Sequence, residues 1–391
     1  LFRTLTEKDR RACAELERYC FSLEDAYMSR PPFSVKKMEE FLGWFEGDRL
    51  VAAGQVIPFQ VYIRETLIPA GGVASVVTDP GYRRAGFMRK FLIRTLEEMH
   101  QKGIPLSILW PAEYYFYQPL GWEQVSEVRR WEWEFKDMYL PEKPTGDFVW
   151  LPLTIESICQ LLPIYRQVAK RSNLFIEQSE AEYFSYLQLY VEAPIQIIGY
   201  QDKDGELVGY MRFSNYRRER MMEVYEIFAP DNDVERAFFW FIHTHNAQFK
   251  KVRLHSPEDA PYFLYLRNPQ VECLMRPGIM LRLVDMKEAL LRRPYNILDK
   301  ELSLTLHIKD ELAPWNETEV NFLITEGKCT ETKKKQAVLS TTVQTMAQLY
   351  TNFITFQKAQ EYNLIHFSSP VDVQALDELF ALPKPYCLHW F

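Results

Sequence analysis

Ser75-Val76-Val77-Thr78-Asp79-Pro80-Gly81-Tyr82-Arg83-Arg84-Ala85-Gly86-Phe87-Met88-Arg89-Lys90 is the stretch that decides the fold. A β-rich run stops at Asp79-Pro80-Gly81, passes through a basic, glycine-containing turn and enters an amphipathic segment. Apolar residues at Phe87, Met88, Phe91, Leu92, Leu96 and Met99 keep a helical spacing. A strand, a short turn and a helix start leave free backbone N–H groups pointing out of the first helical turn. The helix dipole favours negative charge there. Arg83, Arg84 and Arg89 add full positive charges. A diphosphate has the matching shape; a basic surface helix start is the plainer alternative.

The neighbouring sequence weighs between the two. The helix ends near Gly103, and 104–110 reads as a buried strand. Then follows Pro111-Ala112-Glu113-Tyr114-Tyr115-Phe116-Tyr117-Gln118-Pro119-Leu120-Gly121-Trp122. Upstream, 7–20 and 36–45 read as helices, and 50–57, 60–67 and 72–78 as consecutive strands. This order predicts an α/β domain.

A second pass begins after the loop at 140–146. It reads as a helix over 155–169, a strand over 194–200, a hairpin turn at Asp202-Lys203-Asp204-Gly205 and a strand over 207–214. Another strand at 222–228, a helix over 237–249 and a strand over 251–255 complete it. The element order repeats that of the first pass, so the chain carries an internal structural repeat. The turns differ. Where the first copy has Arg83, Arg84 and Gly86, the second has Asp231, Asp233 and Glu235. Three carboxylates facing a diphosphate would repel it, so the second copy is expected to keep the shape and lack the ligand. A third segment follows, with strands at 302–308 and 320–325, an exposed hairpin near Gly327 and Lys333-Lys334-Lys335, and helices over 340–356 and 371–380. The aromatic, proline-stiffened end from Pro383 to Phe391 reads as docked.

Composition narrows the function. The 391 residues suit two or three domains, and a formal net charge of −7 argues against a general nucleic-acid binder. No apolar run approaches the roughly 20 residues of a membrane span, and no signal-peptide pattern opens the chain. Six cysteines without a C-x-x-C pair fit reduced thiols and a cytoplasmic setting better than disulfides or zinc. His243 and His245 are two apart and point in different directions on a helix, so no metal site is expected.

The run from Arg83 to Trp122 resembles the acetyl-CoA core of the GNAT N-acetyltransferases. In them Arg-x-x-Gly-x-(Gly/Ala) grips a pyrophosphate, and a Tyr-x-x-x-Gly-aromatic turn sits beside the thioester. Met88 departs from the usual small residue. The three-part layout resembles the enhanced-intracellular-survival (Eis) family, strongest at 71–125, at 281–290 and at the aromatic end. That resemblance implies an α/β chain of three domains: an active GNAT domain at 1–135, a degenerate second GNAT-like domain at 136–284 without cofactor, and a sterol-carrier-protein-like domain at 285–391. It implies acetyl transfer from acetyl-CoA to a primary amine, with no metal, in a homo-hexamer. Aminoglycosides are substrates of its best-known members.

Carried over by position, Val76, Val77 and Thr78 would hydrogen-bond the pantetheine arm through their backbone. The Arg83 turn and the N–H groups of Arg84, Ala85, Gly86, Phe87, Met88 and Arg89 would hold the pyrophosphate, with Ala112 and Glu113 near the thioester. Tyr117 matches the general acid, and the α-carboxylate of Phe391 the general base. Trp390 replaces the acidic residue that often precedes the terminal Phe, which weakens the case for aminoglycosides. Glu24 and Asp25 sit where GNAT proteins line the acceptor pocket, though surface carboxylates are commonly just solvated. Tyr117 lies in an aromatic cluster that could be core filler; its spacing to Gly121-Trp122 singles it out. The acceptor would be a small-molecule or peptide amine. A non-catalytic CoA or amine sensor and a structural assembly protein remain as alternatives.

Overall fold

The structure is a computed structural model and describes residues 1–23, 36–187, 194–268, 270–334 and 336–387. Glu24, Asp25, Trp390 and Phe391 lie outside the described residues.

The chain opens with β1 (Phe2–Thr4), α1 (Arg10–Phe21), β2 (Phe41–Glu46), β3 (Arg49–Ile63) and β4 (Thr66–Thr78). It continues with α2 (Phe87–Gln101), β5 (Leu106–Leu109), α3 (Tyr114–Tyr117) and β6 (Glu123–Gln124). Two expectations change here. The helix expected over 36–45 is a short 3-10 turn followed by β2, which pairs antiparallel with both β1 and β3. Its consecutive buried residues Phe41, Leu42 and Gly43 match no single helical face. The three strands expected over 50–57, 60–67 and 72–78 are two: β3 runs through Pro58, the turn falls at Arg64-Glu65 inside the expected middle strand, and β4 is continuous from there to Thr78. Among the described residues, 56–60 of β3 have only β4 beside them, so a missing N–H can be tolerated.

Next come β7 (Glu127–Glu134), β8 (Asp147–Leu151), α4 (Ile155–Ala169), β9 (Asn173–Ile176), α5 (Glu180–Leu187), β10 (Gln196–Gln201), β11 (Leu207–Tyr216) and β12 (Met221–Phe228). They are followed by α6 (Asn232–His243), β13 (Lys251–Ser256), β14 (Glu272–Pro277) and β15 (Met280–Leu283). The third segment supplies α7 (Met286–Arg292), β16 (Leu302–Lys309), β17 (Val320–Thr325), β18 (Lys328–Glu331), β19 (Val338–Thr342), α8 (Val343–Tyr350), α9 (Phe356–Glu361), β20 (His366–Phe367) and α10 (Val373–Phe380). The helix expected over 340–356 is α8 alone, with Thr342 as its N-cap, after which a turn leads to α9.

These elements make three sheets. The first has the order β1-β2-β3-β4-β5-β15-β6, with β9 added on β3; the second runs β14-β7-β13-β12-β11-β10-β8; the third runs β18-β17-β16-β19-β20. The chain divides into two compact units. One is 1–126 with 173–176 and 279–391; the other is 127–172 with 177–278. The expected boundaries at 135 and 284 do not coincide with these units. β7 pairs with β13 and β14 in the second sheet, whereas β9 and β15 pair with β3 and β5 in the first. Within the first unit one apolar core is continuous from Val61, Leu106 and Leu281 to Leu304, Met346 and Leu376, so the first and third segments share it. The segment Pro383–Cys387 lies against β9, with the Tyr386 N–H donating to Asn173 O at 3.1 Å and Cys387 buried.

Candidate active site

β4 and β5 are parallel, but they pair only at Ala70–Gly72 with Leu106–Ile108. On its other edge β4 keeps β3 as far as Thr78. Among the described residues, the stretch from Val73 to Thr78 therefore has no β5 partner, and the two strands part. A bulge at Ser75 (φ 51°), where the register with β3 shifts, accompanies the divergence. Val76, Val77 and Thr78 line this one-sided edge.

The turn after β4 is built by Asp79, whose carboxylate accepts from the Gly81 N–H at 2.9 Å and pairs with Arg49 at 2.6 Å. Arg84 (φ 64°) and Gly86 (φ 78°) both take left-handed backbone. Such a pair turns successive N–H groups toward one side, a common anion-binding geometry. Gly86 is the N-cap of α2 and offers no side-chain cap, so the first-turn N–H groups have no side chain closing them. Arg83, Arg84, Ala85, Gly86 and Arg89 are exposed, whereas Phe87 is buried and Met88 half-buried. A Cβ on Gly86 would meet nothing within 4 Å, so the space in front of the turn is open. These features fit a bound pyrophosphate.

Tyr117 is the last residue of α3. It is 7% exposed and packs in a core cluster with Val73, Leu92, Leu109 and Trp122, against which Val76, Met88 and Tyr114 also lie. The cluster thus joins the open strand edge, the α2 start and the Tyr117 turn. Burial pushes the Tyr117 phenol up to about 12, so it is neutral at any ordinary pH. Among the described residues its hydroxyl has no hydrogen-bond partner. Ala112 and Glu113 are exposed at the mouth of the α3 turn.

One neighbour escaped the sequence reading. Glu123, on the edge strand β6, is buried, and burial raises its carboxyl pKa. The Tyr114 hydroxyl and the Gln118 amide both donate to it. Its position six residues after Tyr117 is unremarkable in sequence; only the fold turns it inward.

The second unit repeats the frame. β12 pairs with β13 only at 221–224, so the later part of β12 is likewise one-sided. There Arg212 and Glu226 form a buried ion pair, with the Tyr186 hydroxyl donating to Glu226 at 2.9 Å. The helix start differs too. Asp231 caps α6 with its own carboxylate, accepting from the Asp233 N–H at 3.0 Å and the Val234 N–H at 2.9 Å. Glu235 accepts from the Tyr265 hydroxyl, and Asp233 pairs with Arg236. Among the described residues no group of three or more His, Cys, Asp and Glu is arranged to hold a metal, and no helix is long and apolar enough to cross a membrane.

Known sequences and structures share this architecture. Two different acetyltransferase (GNAT) domain families match, one over residues 2–125 and the other over 177–283, and a sterol carrier protein domain family matches 286–388. An uncharacterized N-acetyltransferase of Streptomyces avermitilis is 22% identical over 308 residues, covering 73% of this chain and 72% of that protein. A GCN5-related N-acetyltransferase from Anabaena variabilis superposes with a TM-score of 0.89 at 21% identity, over 100% of both chains. Eis1 from Mycobacterium abscessus gives 0.83 at 18% identity, over 99% of both. The two GNAT domain matches, on this fold, make the chain an acyltransferase of the GNAT class. Within it, the chain has the fold of Eis1, with two GNAT domain matches followed by a sterol carrier protein domain match. GNAT domains use acetyl-CoA, and GNAT acetyltransferases act on amine acceptors.

Proposed function

We propose that this chain moves an acetyl group from acetyl-CoA to a primary amine of a small molecule or peptide by direct attack. The observation that carries the reading is the union of an open β4 edge with an uncapped, basic start to α2. In this reading the N–H groups from Arg84 to Arg89 bind the pyrophosphate and Arg83 adds charge. The backbone of Val76, Val77 and Thr78 takes the pantetheine amides, and Ala112 and Glu113 flank the thioester. The Phe391 α-carboxylate removes a proton from the acceptor ammonium, and Glu24, Asp25 and Trp390 hold that acceptor. The freed amine attacks the thioester carbon, and the C–S bond breaks. Tyr117 protonates the departing thiolate and regains a proton, through solvent, from the new amide nitrogen. The desolvation that weakens Tyr117 as an acid also makes the thiolate a stronger base, so the transfer remains balanced.

The family resemblance further supports a homo-hexamer in the cytoplasm, which sedimentation and fractionation would test. The test of the activity is acetyl-CoA turnover with a panel of primary amines, aminoglycosides and lysine peptides included. Release of CoA that depends on an amine is the expected result. Acetyl-CoA binding without turnover on any amine would favour a sensor instead.

A further inference from the structure

α3 is only four residues long, too short to hold its own conformation, and the Tyr117 hydroxyl is tied to nothing among the described residues. The ring is held by its packing among Val73, Leu92, Leu109 and Trp122, and the backbone that carries it by whatever holds the turn after it. The turn has internal ties: the Gly121 N–H donates to Gln118 O at 3.0 Å, and Tyr114 and Gln118 converge on Glu123. The remaining ties come from elsewhere in the same compact unit.

Gln344 and Gln348 are four residues apart on α8 and so share one face. The Gln344 amide donates to Gln118 O at 3.1 Å, and the Gln348 amide donates to Gln124 O, also at 3.1 Å. One helix thus grips both ends of the 118–124 segment. Its middle is supported from below. A Cβ on Gly121 would lie 2.2 Å from Arg282 Nη1, so the guanidinium sits directly against that glycine. Arg282 donates to Asp310 at 2.7 Å, and Asn316 donates to the other oxygen of Asp310 at 2.8 Å. Gln344, Gln348, Asp310 and Asn316 all belong to the stretch matched by the sterol carrier protein domain, and the gripped turn belongs to the first GNAT match.

We infer that Gln344 and Gln348 are positioning residues for the acetyl transfer: the sterol-carrier-like domain clamps the Tyr117 turn through α8. This gives that domain a part in the first active site that does not depend on the chain's end. The inference rests on the reading of Tyr117 as general acid.

The test is a double-mutant cycle in the full-length protein. Gln344→Glu and Gln348→Glu keep the side-chain shape but replace the amide donor with an acceptor. The alanine pair Gln344→Ala/Gln348→Ala covers the case in which the acidic pair fails to fold. Each is measured for melting temperature, acetyl-CoA affinity by titration, and kcat with KM, in the wild type and in Tyr117→Phe. The expected result is a fall in kcat of about tenfold or more, as for a misplaced catalytic group, with acetyl-CoA affinity kept. In Tyr117→Phe the same substitutions should cost no further rate, because the group they position is gone. Unchanged kcat, an equal loss in both backgrounds, or a loss that tracks the unfolded fraction would each overturn the clamp. If Tyr117→Phe alone turns over normally, the acid reading itself has failed, and that single variant reveals it without any change at α8.

Discussion

The carboxylate of Asp231 accepts the backbone N–H of Val234 at 2.9 Å and closes the N-terminus of α6. The corresponding helix of the first domain, α2, starts at Gly86 with no such cap. One residue separates a helix end that can receive an anion from one already satisfied by its own side chain. The prediction is one acetyl-CoA per chain. Isothermal titration should reach saturation at that ratio, and two equivalents per chain would contradict it.

Gly86 separates conformational from electrostatic effects at the same turn. Its φ of 78° makes any side chain strained, yet the space around its Cβ position is empty. Gly86→Ala should therefore weaken acetyl-CoA only by the backbone strain, on the order of 1 kcal/mol or about fivefold. Gly86→Asp adds a carboxylate facing the diphosphate and should abolish measurable binding. Equal losses in the two variants would mean that Gly86 only eases the turn.

Tyr117→Phe should lower kcat by roughly 10²–10⁴-fold with acetyl-CoA affinity kept, the usual range for losing a general acid. Because burial raises the phenol to about 12, Tyr117 stays protonated across the working range and should impose no alkaline limb on kcat below pH 10. The same shift acts on stability. The folded state holds the Tyr117 proton more tightly than the unfolded chain, whose phenol titrates near 10. The stabilising contribution is therefore complete below about pH 10 and lost between about pH 10 and 12. Denaturant unfolding of Tyr117→Phe should show a shallower decline across that window. An identical decline would place Tyr117 in a more solvated setting.

The parts of this fold that were legible in the sequence are those set by local pattern. α2 was readable because Phe87, Phe91, Leu92, Leu96 and Met99 are spaced for one buried face, and all five are buried. The tight turn into α2 was readable because a glycine stands at position 86, where the backbone takes a φ of 78° at the helix start. What failed depended on distant partners. β2 is a strand because β1 and β3 lie on either side of it, and its own residues do not declare that. β15 slots between β5 and β6 from more than 150 residues away, and β9 joins β3 from over 100. The acidic turn of the second domain was expected to act by repulsion. It acts first by capping, because an Asp at N-cap meets two free N–H groups in its own helix. Glu123 was invisible for the same reason as β15: its burial is created by the strand beside it.

The proposed base is tested by moving it. Adding one glycine after Phe391 shifts the α-carboxylate by about 3.5 Å while keeping the aromatic side chains before it. Turnover should collapse with folding and acetyl-CoA affinity retained. Parent-like turnover would remove the Phe391 carboxylate from the mechanism and make Glu123, with its raised pKa, the next group to substitute.

The buried pair under Gly121 makes a last prediction, about stability. The side chains of Arg282 and Asp310 are 0% and 2% exposed. Burial pulls the Arg282 pKa down and the Asp310 charge works against that, so the cation depends on its partner. Two of its nitrogens, Nε and Nη1, have no hydrogen-bond partner among the described residues, so Asp310 and the face of Trp122, 5.9 Å away, carry most of its compensation. Asp310→Asn would leave the guanidinium buried beside a neutral amide, and should cost about 3–5 kcal/mol of unfolding free energy. Replacing both members, Arg282→Met with Asp310→Leu, removes the charge instead of stranding it, and should cost less than Asp310→Asn alone. Chemical denaturation of the three proteins orders them. A double variant less stable than Asp310→Asn would mean that the pair stabilises the fold beyond satisfying its own charges.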